Sequence, residues 1–186
     1  LYNHFDFLLL SFSLLILSLG IVSDLKFIKS ANIRLLMQVF IVLFYIFISD
    51  LQITDTRLYF LDEILKIKYF NYLFVAFCIL ILINGSNFFD GLNTLNIGYF
   101  LSISIIINYL VLRNIIFVDE NYIFKYLALI LIFAYILNFT NKFFLGDSGS
   151  YLLGFLFSII LINLYATNKQ ISPFYIILLF WYPCFE

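Results

Sequence analysis

Leu95-Asn-Ile-Gly-Tyr-Phe-Leu-Ser-Ile-Ser-Ile-Ile-Ile-Asn-Tyr-Leu-Val-Leu112 carries no charged residue and no proline. Its apolar positions run on rather than alternate, so it does not read as a strand with one wet face. A helix needs about 20 mostly apolar residues to cross a hydrocarbon layer of roughly 30 Å, with about 17–25 the usual range. The stretch is therefore read as a transmembrane helix. Comparable stretches lie on both sides of it: Phe5–Val22, Ile33–Ser49, Tyr69–Ile83, Tyr122–Leu137, Tyr151–Ala166 and Pro173–Phe185. Arg34 and Lys125 are expected to snorkel from the ends of theirs. The expected fold is an all-α integral membrane protein with about seven transmembrane helices.

Composition agrees. Of 186 residues, 65% are hydrophobic and 11% charged, and the mean hydropathy is +1.09. A soluble domain of this size has roughly a quarter of its residues charged, so the excess apolar surface must face lipid. A membrane barrel is disfavoured because the apolar runs are continuous, and 7 Gly and 2 Pro are too few for its many turns. The net charge of −1 gives no nucleic-acid signal. Cys78 and Cys184 fall inside apolar segments and read as packing residues rather than a disulfide. His4 is the one histidine, which excludes a His-rich metal site within the sequence. The first stretch lacks the basic start and cleavage site of a signal peptide. The sequence, from Leu1 to Glu186, reads as a single transmembrane core from the middle of a longer protein.

Successive spans alternate direction, so alternate loops share a side. One side receives Ser23–Asn32, Asn84–Thr94, Asn138–Ser150 and the end at Glu186; the other receives Asp50–Lys68, Arg113–Asn121 and Thr167–Ser172. The positive-inside rule does not orient the bundle. Lys26, Lys29, Arg34 and Lys142 fall on the first side, against Arg57, Lys66, Lys68, Arg113, Lys125 and Lys169 on the second.

The first side holds three polar constellations. In Gly20-Ile-Val-Ser-Asp24-Leu-Lys26, followed by Arg34 and Gln38, Asp24 is placed to hold a divalent cation or receive a proton; the plainer reading is an acid that solvates a helix end. In Asn84-Gly-Ser-Asn87-Phe-Phe-Asp90-Gly91-Leu-Asn93, the spacing of Asn84, Asn87 and Asp90 puts amides and a carboxylate on one broad helical face. The plainer reading is a helix stop built from turn residues. In Asn138-Phe-Thr-Asn-Lys142-Phe-Phe-Leu-Gly146-Asp147-Ser-Gly-Ser150, small residues precede an apolar helix, an arrangement that lets a phosphate approach free N–H groups. Its competitor is an N-cap by Asp147 or Ser148. Topology carries Asp24, Asp90 and Asp147 to one membrane face. Such a set suits magnesium, which takes one or two carboxylates, waters and substrate phosphates, with Lys26 or Lys142 offsetting the negative charge.

These motifs, in this order, resemble the bacterial polyprenyl-phosphate N-acetylhexosamine-1-phosphate transferases of the WecA/MraY type, in glycosyltransferase family 4. The family pattern is an Asp-Asp pair after a span, then Asn-x-x-Asn-x-x-Asp-Gly, then Gly-Asp-x-Gly-Ser opening a span. Here these are Ser23-Asp24, Asn84 to Gly91 and Gly146 to Ser150. The resemblance covers Gly20 to the region of Pro183. It implies a polytopic bundle of roughly ten or eleven helices, in a bacterial inner membrane, with the motif side facing the cytoplasm. It implies transfer of a sugar 1-phosphate from a UDP-N-acetylhexosamine to undecaprenyl or another polyprenyl phosphate, releasing UMP, as a first membrane step of envelope glycan synthesis. Asp24, Asp90 and Asp147 would be catalytic; Asp147 and Asp24 would hold Mg²⁺, with Mn²⁺ as a substitute. Asn84, Asn87, Asn93, Asn138, Lys142 and Ser23 would line the substrate. The chain departs from the pattern in three places. Ser23 stands where the first Asp sits, Asn93-Thr94 replaces a second Asp-Gly, and the family's His-rich loop, which follows the span ending near Glu186, lies outside this sequence.

A transporter or ion pathway is the rival, since acids inside membranes also mark ion routes. It calls for acids at mid-span depth. The placement of Asp24, Asp90 and Asp147 at span ends on one side favours surface chemistry instead.

Overall fold

The computed structural model describes residues 2–88, 94–117 and 123–185. Every regular element among them is a helix: α1 Tyr2–Asp24, α2 Ala31–Ser49, α3 Tyr59–Leu65, α4 Lys68–Phe88, α5 Leu95–Leu112, α6 Ile123–Phe139, α7 Gly146–Thr167, α8 Pro173–Leu179 and α9 Trp181–Phe185. In lipid this is forced, because each backbone polar group must find its partner within its own segment. The chain ends its helices with few glycines. Lys26, Asn114 and Asn141, just past α1, α5 and α6, take positive φ. In each case the next N–H reaches back: Phe27 to the Val22 carbonyl, Ile115 to Leu110 and Lys142 to Leu137, at 2.9–3.1 Å. This satisfies carbonyls the helix would otherwise leave bare.

Five helices, α1, α2, α4, α5 and α7, are long and apolar enough to cross a membrane. At 1.5 Å per residue they measure about 27–33 Å. The apolar part of α6 is shorter, Phe124–Phe139. The stretch Pro173–Phe185 is two short helices rather than one span. Pro183 has no N–H to give Leu179 four residues back, and its ring crowds that carbonyl. The helix stops at Phe180, and the Tyr99 hydroxyl donates to the Leu179 carbonyl instead, at 2.5 Å.

α7 is the most buried of the long helices and packs against both α1 and α4. Small residues set both approaches. A Cβ on Gly20 would lie 2.2 Å from Ser148 Cα, and one on Gly154 would lie 2.7 Å from Ile83 Cα. In a membrane, where lipid is as apolar as leucine, such contacts supply the packing energy that holds helices together. Tyr45 of α2 stacks edge-on between Phe12 and Phe155, at 5.3 and 5.5 Å. Cys78 lies partly buried within α4 and forms no disulfide among the described residues.

Hydrogen bonds between loops follow the alternation of sides. At one end Arg57 donates to the Ile171 carbonyl at 3.1 Å, Tyr165 to the Asp55 carbonyl at 2.5 Å and Gln170 to the Ile115 carbonyl at 2.9 Å. Asn168 there clasps the backbone of Phe117 through both ends of its amide, each at 2.7 Å. The α1–α2 and α6–α7 connections meet at the other end, beside the last turn of α4 and Thr94 at the start of α5.

Candidate active site

The α1–α2 turn and the start of α7 form the centre of this end. Gly146 sits at φ 64, and a Cβ there would lie 2.9 Å from Asp24 Oδ2. Glycine is needed for the backbone conformation and for room. The Asp24 carboxylate accepts the N–H of Asp147 at 2.8 Å and that of Ser148 at 3.0 Å. The α7 helix is thus capped from α1. Neither Asp147 nor Ser148 is the cap, for the N-cap position is Leu145, which has no side-chain acceptor.

Asp147 points the other way. Its Oδ2 receives Ser23 Oγ at 2.5 Å and Arg34 Nη1 at 2.6 Å, and Arg34 Nη1 also reaches Ser23 Oγ at 2.7 Å. Arg34 and Asp147 side chains are only 25% and 24% exposed, so this pair is less screened than a surface ion pair. Arg34 therefore does not snorkel to the headgroups as its place in an apolar run suggests; it turns to Asp147. Its Nε is buried without a partner among the described residues.

The amide residues sit at the end of α4. The α4 helix runs on to Phe88, so Asn84 to Asn87 form its last turn rather than a loop. Gly85 is there for contact, not for a turn: a Cβ on it would lie 1.8 Å from the Pro183 carbonyl oxygen. Asn84 Nδ2 donates to Gln38 Oε1 at 2.9 Å, and Gln38 follows Arg34 by one turn of α2. Ser86 Oγ donates to the Ser150 carbonyl at 2.8 Å, and Asn96 Nδ2 reaches Ser150 Oγ at 3.0 Å. These bonds tie α4, α5 and α7 together beside Asp147. Asn87 is half-buried and makes no hydrogen bond among the described residues.

Asn138 and Lys142 differ in kind. Asn138 is buried and accepts the Thr94 N–H at 2.6 Å while donating to the Phe143 carbonyl at 2.7 Å, so its amide is spent on holding two connections. Lys142 is exposed. Asp90, Gly91 and Asn93 lie outside the described residues.

The structure thus joins Ser23, Asp24 and Asp147, with Asn84 nearby. It gives a place to two residues of the first constellation that had no assigned role, Arg34 and Gln38. Their signal was local: a charge and an amide spaced by four in an otherwise apolar helix.

This constellation leaves one carboxylate oxygen unclaimed by a hydrogen bond among the described residues. Both Asp24 oxygens accept α7 N–H groups and Asp147 Oδ2 is held by Arg34, which leaves Asp147 Oδ1 open among the described residues. No three His, Cys, Asp or Glu side chains cluster among those residues. One carboxylate oxygen, completed by substrate phosphates and water, is within the habit of magnesium.

The sequence model of glycosyl transferase family 4 matches residues 7–165. The chain belongs to glycosyl transferase family 4. The matched region takes in Ser23, Asp24, Arg34, Asn84 and Asp147, and stops within α7. In class, this family 4 chain is a multi-pass membrane phospho-sugar transferase. No curated protein and no solved structure matches it.

Proposed function

We propose that this family 4 chain transfers an N-acetylhexosamine 1-phosphate from a UDP-sugar to a polyprenyl phosphate. A lipid phosphate oxygen attacks the β-phosphorus, the bond from that phosphorus to the bridging oxygen breaks, and UMP leaves with the bridging oxygen. The product is a lipid diphosphate sugar. The observation that carries the reading is the Ser23–Asp24–Arg34–Asp147 constellation, set at helix ends rather than at mid-span as an ion pathway requires.

Phosphoryl transfer asks a protein mainly for positioning and electrostatic stabilisation. Asp24 fixes the first turn of α7, and with it the direction of the Asp147 carboxylate. Arg34 keeps its second Nη group, which takes no part in the Asp147 and Ser23 bonds, for an anionic substrate. Asn84 and Asn87, with Asp90, are assigned to the nucleotide sugar; Asn138 holds the connections around them. Lys142 and Lys26 supply exposed positive charge toward phosphates. Magnesium, held through Asp147 Oδ1 with Asp24 beside it, would neutralise the diphosphate. The apolar helices give the isoprenoid tail a place to lie while its phosphate meets the site. The reading puts that site on the cytoplasmic face of a bacterial inner membrane, where nucleotide sugars are made.

The test is UMP release by full-length protein in detergent, given polyprenyl phosphate, Mg²⁺ and a panel of UDP-N-acetylhexosamines. Asp147→Asn should lose turnover by at least about 10²-fold, while the wild type turns over. Absence of UMP with every sugar, or wild-type rates in the variant, would overturn the assignment.

A further inference from the structure

The Asp147 carboxylate already has a cation. Arg34 Nη1 lies 2.6 Å from its Oδ2 and Ser23 Oγ lies 2.5 Å from the same oxygen. We propose that Arg34 closes Asp147 to a free divalent cation in the resting protein, and that the metal enters only as a complex with a nucleoside diphosphate. The inference rests on the transferase reading for its nucleotide and on the Arg34–Asp147 pair for everything else.

Charge decides the matter. A dication bound at Asp147 Oδ1 would stand within a few ångströms of the guanidinium, in a site about three-quarters withdrawn from water at both side chains, where like charges repel strongly. Asp24, the other acid of the site, directs both oxygens at α7 N–H groups, so it is committed to the helix cap rather than turned to a metal at Asp147. Magnesium parts with its water reluctantly and needs strong anionic ligands to do so. One oxygen of a carboxylate whose other oxygen already pairs with an arginine is a poor inducement. A diphosphate changes the balance: it brings most of the ligand oxygens itself, and its negative charge accommodates both the metal and Arg34. Ser23 belongs to the same arrangement. An acid in its place would add a second carboxylate beside Arg34 and Asp147, whereas the Ser23 hydroxyl donates to Asp147 and accepts from Arg34 without adding charge.

The experiment is equilibrium dialysis of full-length protein in uncharged detergent against Mn²⁺, with free Mn²⁺ read by electron paramagnetic resonance. Wild type should retain no Mn²⁺ alone at concentrations that are retained when UDP is present. Arg34→Gln should retain Mn²⁺ alone with affinity higher by on the order of tenfold or more; Arg34→Lys, which keeps the charge, should behave as wild type. Adding Asp147→Asn to Arg34→Gln should abolish the gain. Wild type that holds Mn²⁺ equally well without UDP would overturn the proposal, as would Arg34→Gln with no gain. Should Arg34→Gln fail to fold, the wild-type comparison with and without UDP decides alone. Should wild type bind no UDP and form no UMP, the transferase reading falls, while the metal-alone contrast between wild type and Arg34→Gln still judges the role of Arg34.

Discussion

The Asp24 carboxylate accepts the backbone N–H of Asp147 at 2.8 Å, so the two acids of the site are linked through the first turn of α7 instead of merely sharing a membrane face. The link lets structure and chemistry be separated. A lost cap costs about 1–2 kcal/mol. Asp24→Ala should therefore lower thermal stability by a few degrees, and Asp24→Asn, which keeps one acceptor, by less. If Asp24 serves only as a cap, UMP release should fall in proportion to folded protein. A chemical role predicts a drop of about 10²-fold or more in both variants, with Asp24→Asn still well folded by thermal melt.

Gly20 controls the same geometry from one turn earlier. A Cβ there would meet Ser148 Cα at 2.2 Å and Ser148 N at 2.7 Å, and backbone atoms cannot swing aside. Gly20→Ala must push α1 from α7, dragging Asp24 from its two N–H partners. Overpacking of this kind costs roughly 1–3 kcal/mol, and turnover should be lost beyond what the melt explains. Gly98→Ala is the control. Its Cβ would meet the Tyr135 ring at 3.1 Å, a side chain that can yield, so activity and melting should stay near wild type.

Much of this was open to sequence reading, and the failures have physical causes. The long apolar runs revealed α1, α2, α4, α5 and α7 because continuous hydrophobicity over a bilayer's thickness has one common solution. Alternation of sides then brought Asp24 and Asp147 to one end. The reading broke where residues have two uses. Asn84-Gly85 looked like a helix stop, but Gly85 is helical and small to admit Pro183. Arg34 looked like a snorkelling end charge because its partner lies 113 positions away, beyond any local pattern. The seventh stretch hid its break, since Pro183 acts on a carbonyl one turn before it.

On the opposite side, Asp50 follows α2 in a left-handed conformation and accepts from Gln52 at 2.9 Å and from Lys68 at 3.0 Å. The Tyr72 hydroxyl also donates to it. These contacts, Tyr72 foremost and then Lys68, lower its pKa from 3.8 to about 2. A depressed carboxylate stabilises the fold fully above its unfolded pKa and loses that contribution as pH falls through the folded value. The Asp50→Asn penalty should therefore be constant from neutral pH down to about pH 5, then shrink between 3.8 and about 2. Melting temperatures of wild type and variant across that range test it; a penalty that grows on acidification would refute the assignment.

Tyr99 and Pro183 make the last prediction, because each explains the other. Pro183 cannot supply the N–H that the Leu179 carbonyl would receive in a continuous helix, and the Tyr99 hydroxyl fills that place at 2.5 Å. Tyr99→Phe leaves a carbonyl unpaired within an apolar bundle and should cost about 1–3 kcal/mol. Pro183→Ala restores the backbone donor, so the Tyr99→Phe penalty should fall to a few tenths of a kcal/mol in that background. A double-mutant cycle on unfolding free energies reads the coupling directly. Additive penalties would mean that the α8–α9 break is held by packing around Phe180 rather than by exchange of one donor for another.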